Sequence, residues 1–142
     1  CKLGFDLGLK ELSADELAYC QTAVTNWKRL QAAIMDGVQY RLVSPYQSNH
    51  MAVNYVSRDT DKAVLFAYDI YPRFQEKLMP VRLQGLNPNK LYKVEEINLM
   101  PSVKSALKAN GKIYSGDYLM KVGLDVFGTA ITQSHVIELT AQ

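Results

Sequence analysis

Cysteine, excess charge and long apolar runs are all scarce in this sequence. Its 142 residues include two cysteines, Cys1 and Cys20, which are too few for a disulfide framework or for a zinc site without further ligands. Sixteen lysines and arginines nearly balance 14 aspartates and glutamates, and the formal charge of +2 forms no basic stripe of the kind that binds nucleic acids. The longest apolar runs, such as AVLFAY at 63–68, are far shorter than the about 20 residues of a membrane span. We therefore expect neither a nucleic acid nor a membrane as a partner.

The start of the chain has no signal-peptide pattern, and its first residue is Cys1 rather than methionine. A lipoprotein anchor would lead into a flexible tether, whereas Lys2 runs directly into LGFDLGL. We therefore expect a piece of a longer protein, about one domain in length and large enough for a substantial core. No feature indicates a cellular compartment.

A long amphipathic helix is predicted over about 14–34, after a short apolar strand in KLGFDLGL at 2–9. Ser13, with Glu16 three residues later, has the pattern of a capping box at a helix start. Asp36-Gly37 should end the helix, because glycine readily adopts the left-handed conformation of helix ends. Apolar residues recur in between at spacings of three and four, in a stripe of Leu17, Cys20, Val24, Trp27 and Ile34 that only Gln31 interrupts.

From about residue 38 the helical periodicity gives way to short runs separated by turns at 57–62 and 85–90. AVLFAY is apolar on both faces and should be a central strand, and Met51, Val53 and Tyr55 should share one strand face. The candidate strands are VQYRLV, MAVNYVS, AVLFAY, PVRLQGL, LYKVEEI and SHVIELTA. The predicted fold is mainly β: a two-sheet antiparallel β-sandwich of roughly six to eight strands, preceded by one long amphipathic helix.

The segment SGDYLMKVGL at 115–124 has the marks of a short helical turn. Ser115 can cap it and Gly123 can end it. We interpret it as a scaffold element whose apolar side chains help to close the β domain: Tyr118, Leu119, Val122 and Leu124.

Pairs of carboxylates are poor candidates for acid catalysis in this sequence. Glu95 and Glu96 are adjacent in a predicted strand and point to opposite faces, whereas a glycosidase holds two carboxylates about 5–9.5 Å apart across a cleft. Asp59 and Asp61 flank Thr60 in a turn, where solvated charges are the ordinary interpretation.

The two histidines are also weak candidates for catalysis. His135 shares its strand parity with Ile137 and Leu139, so we interpret it as a satisfied, partly buried side chain. His50 follows Asn49 in a predicted loop, and no third group is evident to orient either histidine as a triad requires. No glycine-rich phosphate loop follows a strand. We predict no catalytic residue, no metal site and no cofactor in this chain.

Nine tyrosines, four phenylalanines and Trp27 make sugar stacking an alternative function, because aromatic rings present flat apolar faces with polar rims. Most of the tyrosines are scattered over predicted strands, and Trp27 lies on the apolar stripe of the helix, where packing is the ordinary role. Tyr46 and Tyr71 lie in predicted loops and are the candidate glycan contacts.

Several segments, in order, resemble the C-terminal part of glycoside hydrolase family 36, the α-galactosidase family. LGFDL and LSADELAYCQTAVTNWKRL are similar to the last strand and helix of that family's catalytic (β/α)8 barrel, and YRLVSPY resembles the segment leaving the barrel. VSRDTDKAVLFAY, VRLQGLNPNKLYKVEEI and YSGDYLMKVGL resemble successive pieces of its C-terminal β domain.

The resemblance implies that residues 1–37 end an otherwise absent barrel and that 38–142 form the C-terminal β-sandwich domain. It also implies a parent enzyme that hydrolyses terminal α-linked galactose with retention, using two aspartates on upstream barrel strands. No position here matches the family's catalytic motifs, and Asp6, at the end of the implied barrel strand, is better explained as a hydrogen-bonding residue. The chain is then a non-catalytic structural and interaction domain whose partner is the barrel of the same parent chain. The alternative is a carbohydrate-binding module for galactosides.

Without the rest of the barrel, the apolar stripe of the helix lacks neighbours. It must fold onto the β domain or pair with another copy, because an exposed apolar patch is normally an association site. We therefore predict self-association of this chain through Leu17, Val24, Trp27 and Ile34.

Overall fold

A helix of 22 residues precedes six antiparallel strands in the computed structural model, which describes residues 4, 8–128 and 133–142. The elements are α1 (Ala14–Met35), β1 (Val38–Val43), β2 (His50–Val56), β3 (Lys62–Asp69), β4 (Leu91–Glu96), β5 (Ile113–Ser115), α2 (Gly116–Lys121) and β6 (Gln133–Ala141). A 3-10 turn, Leu9–Glu11, comes before α1. The strand predicted at 2–9 falls largely outside the described residues, as do Cys1 and Asp6.

Both ends of α1 lie close to where the sequence predicts them. Ser13 accepts a hydrogen bond from the Glu16 backbone N–H, and the Glu16 carboxylate accepts one from the Ser13 backbone N–H, which confirms the capping box. Asp36 ends the helix, as predicted. Gly37, however, does not adopt the left-handed conformation that the sequence predicts. Glycine is needed there because a Cβ would overlap the carbonyl oxygens of Ala33 and Val56, so the chain turns close against the end of β2.

The six strands form one antiparallel sheet in the order β1-β2-β3-β6-β4-β5. β3, the predicted central strand, pairs with β2 on one side and β6 on the other. The mainly antiparallel β fold of six to eight strands after one long helix is therefore confirmed.

The sheet buries both of its faces. On one face Leu30 and Ile34 of α1 pack against Val53, Tyr55 and Val64 of the sheet, and together they form a cluster. Met51 joins this cluster, so Met51, Val53 and Tyr55 share a face as predicted. The larger core lies on the opposite face and includes Leu65, Tyr92, Val94, Ile137 and Leu139.

The layer over the larger core is not a second ladder of strands among the described residues. PVRLQGL alternates as predicted, with Val81 and Leu83 buried, but it forms only an isolated bridge between Val81 and Leu124. The Leu83 N–H donates to the Leu119 carbonyl in α2 at 3.0 Å, so helical turns interrupt the pairing that a strand would continue. The expected second sheet is thus replaced by irregular segments and α2 packed on a single sheet.

The segment at 115–124 contains α2, and Ser115 accepts a hydrogen bond from the Tyr118 N–H at 3.1 Å, as a cap does. Gly123 follows with a φ of 91°, which glycine adopts without strain. Leu119 and Leu124 are buried in the larger core, whereas Tyr118 and Val122 remain exposed. The scaffold role therefore rests on two of the four apolar side chains that the sequence indicated. No helix among the described residues is both long and apolar enough to cross a bilayer.

Candidate interaction surfaces

His50 is buried at the start of β2, so its prediction as a loop residue is wrong. Its Nδ1 is 2.7 Å from Oδ1 of Asp69, its cross-strand partner in β3. Its Nε2 is 3.4 Å from Oε2 of Glu76, and its ring stacks on that of Phe127 with centroids 4.6 Å apart. Groups that orient His50 are therefore present, although none was evident in the sequence.

Asp69 and Glu76 gather donors from several segments at this end of the sheet. The second oxygen of Asp69 accepts from the Gly128 N–H and the Gln133 side-chain amide, both at 3.1 Å. Glu76 accepts from the Asn49 side-chain amide at 3.1 Å, and this bond is the main cause that lowers the Glu76 pKa. The cluster holds the connection after β3, Gly128 and the first residue of β6 against the ends of β2 and β3.

Neither buried histidine has the surroundings of an acid–base catalyst. Both ring nitrogens of His50 face carboxylates, so neither is directed at a nucleophile. Nδ1 of His135 is 2.6 Å from Glu96, and the Ser105 hydroxyl also donates to Glu96. In a nucleophilic triad the histidine lies between the hydroxyl and the carboxylate, whereas here the carboxylate lies in the middle. We interpret both clusters as structural contacts.

The other carboxylates face away from any shared cleft. Glu96 points to the larger core and Glu95 to the α1 side, where it lies 2.6 Å from the Lys93 ammonium, so the two are on opposite faces as predicted. In the turn between β2 and β3, Asp61 is 2.6 Å from Nζ of Lys90, and the Ser57 hydroxyl is the main cause that lowers the Asp59 pKa. In the part of the chain that the structure describes, no group of three or more His, Cys, Asp or Glu side chains is arranged to hold a metal ion.

Tyr46 and Tyr71 lie on neighbouring segments at the same end of the sheet. Tyr46 is in the β1–β2 connection and is 97% exposed, and Tyr71 follows β3 and is 74% exposed. The Tyr71 N–H donates to the carbonyl of Asn49, three residues after Tyr46, at 3.1 Å. Phe74 is also exposed, so three aromatic rings are accessible in these two segments.

The apolar stripe of α1 divides between the sheet and the solvent. Ile34 is buried against the sheet, and Trp27 packs there half-buried, so this part of the stripe serves the fold. Leu17 is 42% exposed and Val24 is half-buried. An apolar cavity of about 140 Å³ lies between α1 and the sheet, with Trp27, Phe66 and Ile97 in its wall.

Polar contacts add to this attachment of α1. Arg29 donates to the largely buried Glu138 carboxylate of β6 from both terminal guanidinium nitrogens, and the hydrogen bond to Glu138 is the main cause that raises the Arg29 pKa. The Asn26 side-chain amide donates to the Ile97 carbonyl at 3.3 Å. Nothing local signals the Arg29–Glu138 contact, because 109 residues separate its partners. The sequence does contain a signal for the His50–Asp69 pair. A hairpin turn at 57–62 places Val56 opposite Ala63, and the same antiparallel register then places His50 opposite Asp69.

The sequence of this chain matches a known protein family. Residues 50–139 match the glycosyl hydrolase family 36 C-terminal domain. Probable alpha-galactosidase G of Aspergillus terreus is 28% identical over 139 residues, which cover 98% of this chain and 17% of that protein. Alpha-galactosidase 1 of Pediococcus pentosaceus is 33% identical over 121 residues, covering 85% of this chain and 15% of that protein.

A solved structure shares the fold. The GH36 alpha-galactosidase AgaB from Geobacillus stearothermophilus superposes with a TM-score of 0.76 at 24% identity, over 94% of this chain and 17% of that one. The chain thus spans 15% to 17% of the length of these relatives. Because the family match extends over β2, β3, β4, β5, α2 and most of β6, the chain belongs to glycosyl hydrolase family 36 and carries its C-terminal domain.

Proposed function

We propose that this chain is the non-catalytic structural and interaction domain of an α-galactosidase-type glycoside hydrolase that acts on terminal α-linked galactose. The observation that carries the proposal is the family match over residues 50–139, which coincides with a continuous buried core. The relatives named alpha-galactosidases are six to seven times longer than the matched part, which leaves room for a separate catalytic unit.

The contacts of the acidic residues support a non-catalytic role. Asp69 and Glu96 each hold a buried histidine, and Glu138 holds Arg29. Each carboxylate therefore has a structural partner, and the three do not share one face, because Glu138 faces α1 whereas Asp69 and Glu96 face the larger core. We assign the two catalytic aspartates to barrel strands upstream of this chain.

We further propose that residues 1–37 end the barrel and that 38–142 form the C-terminal domain, with α1 as the contact between them. One side of α1 is fixed to the sheet through Leu30, Ile34 and the Arg29–Glu138 pair. The other side, including Leu17, stays exposed and is available to the barrel. A helix fixed in this way would transmit the stability of the β domain to the barrel.

The test uses the full-length parent enzyme with a stop codon in place of Val38. We expect this truncation to remove soluble enzyme and raffinose hydrolysis, because the sheet face of α1 would become an exposed apolar patch. Leu139→Asp in the full-length enzyme should act in the same direction, since Leu139 is fully buried. Lys104→Asp, an exposed position, is the matched control and should change neither yield nor activity.

The non-catalytic part of the proposal has its own measurement. Glu96→Gln and Asp69→Asn in the full-length enzyme should lower thermal stability while kcat per titrated active site stays unchanged. A loss of kcat of about a thousandfold in folded enzyme would instead mark a catalytic group and overturn the proposal. Release of galactose by the 142-residue chain alone would overturn it as well.

A second candidate function is carbohydrate binding, with Tyr46 and Tyr71 as the contacts. The observation that favours it is the exposure of both rings on neighbouring segments. Exposed aromatic rings give sugars a flat apolar face for stacking.

A further inference from the structure

A groove runs beside β1, one of the two edge strands of the described sheet, next to the Tyr46 loop. Its volume is about 570 Å³. Sites for small ligands commonly have volumes of about 300–1,000 Å³ and combine an apolar lining with a few polar groups. The side chains relevant here are Gln39, Arg41, Tyr46, Gln47, Met51 and Val53.

Three polar side chains line this groove without a partner. Gln39, Arg41 and Gln47 make no side-chain hydrogen bond and no ion pair with the described residues. Gln39 and Arg41 project from the same face of β1, because strand side chains alternate. Their amide and guanidinium groups are free to donate to and accept from a ligand's hydroxyl groups.

Apolar contact is available beside these polar groups. Met51 and Val53 come from β2 on the same side of the sheet and supply apolar surface. Tyr46 adds a nearly fully exposed ring. The backbone of Tyr46 is held in a turn by its N–H, which donates to the Ser44 hydroxyl at 3.3 Å. A backbone already held in a turn has less freedom to lose on binding.

We propose that this groove is a subsite for a neutral hexopyranoside, stacked on Tyr46 and hydrogen-bonded by Gln39, Arg41 and Gln47. The inference rests on the second candidate function and locates it at Tyr46 rather than at Tyr71, which does not line the groove. A flat aromatic ring beside two neutral amides matches a polyol with apolar and hydroxyl-bearing faces. An added peptide strand fits less well, because the register of β1 shifts between Arg41 and Val43 and interrupts the edge that such a strand would follow.

The experiment titrates the 142-residue chain with raffinose and follows its amide resonances together with saturation transfer to the sugar. We expect a Kd of about 1 mM, as for a shallow site that has few anchoring groups. Tyr46→Ala should weaken binding at least about tenfold, whereas Tyr46→Phe should retain it because stacking needs only the ring. Arg41→Ala should weaken binding too, and unchanged melting curves verify that these exposed variants fold.

Phe74→Ala is the matched control, since Phe74 is exposed in the segment after β3 and does not line the groove. The proposal is overturned by absence of raffinose binding, by binding that survives Tyr46→Ala and Arg41→Ala, or by binding that depends on Phe74 or Tyr71 instead. Binding of sodium phosphate in place of raffinose would also overturn it, because it would make Arg41 an anion site. None of these results bears on the truncation test, which concerns assembly with the barrel.

Discussion

Single residues decide how closely the segments over the larger core approach the sheet. Gly116 begins α2, and a Cβ there would overlap the carbonyl oxygen of Asn87 and crowd the ring of Tyr92. We therefore expect Gly116→Val to destabilise the fold by about 3 kcal/mol, since backbone rather than a flexible side chain would have to move. Thermal unfolding followed by circular dichroism measures the effect.

The control for this substitution is Gly111→Asn. Gly111 also lies in a turn, with a φ of 76°, but a Cβ there would meet nothing within 4 Å, and asparagine tolerates this conformation. It should change the melting temperature little. Equal melting temperatures for Gly116→Val and the unaltered chain would refute the close-packing argument.

At this scale the sequence predicts local contacts well and distant ones poorly. The Ser13–Glu16 capping box is readable because both partners lie within one helical turn. Gly37 is correctly placed at a helix end, but its cause is a close approach to Val56 that only the folded chain creates. Arg29 and Glu138 meet because α1 packs on the sheet face to which Glu138 of β6 projects, a fact of topology that no local pattern contains.

At the scale of elements, the start of α1 should depend on pH. The Ser13 backbone N–H and hydroxyl, in that order of effect, lower the Glu16 pKa by binding its carboxylate. A lowered pKa means that ionised Glu16 favours the folded helix end. This contribution is complete above the ordinary glutamate pKa and is lost as pH falls through the lower folded-state value. After correction for intrinsic rates, hydrogen exchange of the first-turn amides should therefore accelerate in acid.

Glu16→Gln separates this effect from general acid unfolding. Glutamine can still reach the Ser13 N–H in a capping box but does not titrate. Exchange in the first turn of this variant should be insensitive to pH over the same range, after correction for intrinsic rates. The same acceleration in the variant as in the unaltered chain would show that another group is responsible.

The attachment of α1 to the sheet gives a second prediction at this scale. The Glu138 side chain is 6% exposed and that of Arg29 is 40% exposed, so Arg29→Met would leave a buried carboxylate without its partner. Breaking a buried pair costs about 3–5 kcal/mol, and we expect about 2 kcal/mol here because solvent screens the exposed guanidinium. Urea unfolding measures the loss.

The double variant Arg29→Met with Glu138→Met tests the cause. It removes the buried charge along with its partner and should recover much of the stability lost in Arg29→Met alone. A double variant no more stable than the single one would mean that the aliphatic packing of Arg29, rather than charge pairing, attaches the helix.

Individual helices and strands were predictable wherever the segment has a hydrophobic periodicity of its own. VQYRLV and LYKVEEI become β1 and β4, which β-rich patterning between turns indicates. PVRLQGL has the same alternation but lacks a neighbouring strand among the described residues, because α2 lies where a partner would run. Alternation thus predicts which side chains are buried, whereas strand pairing depends on what the rest of the fold places alongside.

At the scale of the whole molecule, α1 has a buried side and an exposed side. The Ile34 end of its apolar stripe already lies against the sheet, which leaves Leu17, Val24 and part of Trp27 for contact outside the chain. In the parent enzyme we assign that contact to the barrel. In the isolated chain the same surface has no such cover, and exposed apolar surface favours association.

We therefore predict that the isolated chain self-associates through the exposed side of α1, as sedimentation equilibrium over a range of concentrations would show. Leu17→Glu combined with Val24→Glu should raise the dimer dissociation constant at least about tenfold, because each adds a charge to the contact. Gln21→Glu changes the charge at an exposed polar position of the same helix and is the matched control. A monomeric mass at every concentration would refute the prediction. A dimer dissociation constant that Leu17→Glu and Val24→Glu leave unchanged would place the contact on another surface. Full-length parent enzyme should show no such dependence on Leu17, because the barrel would already cover it.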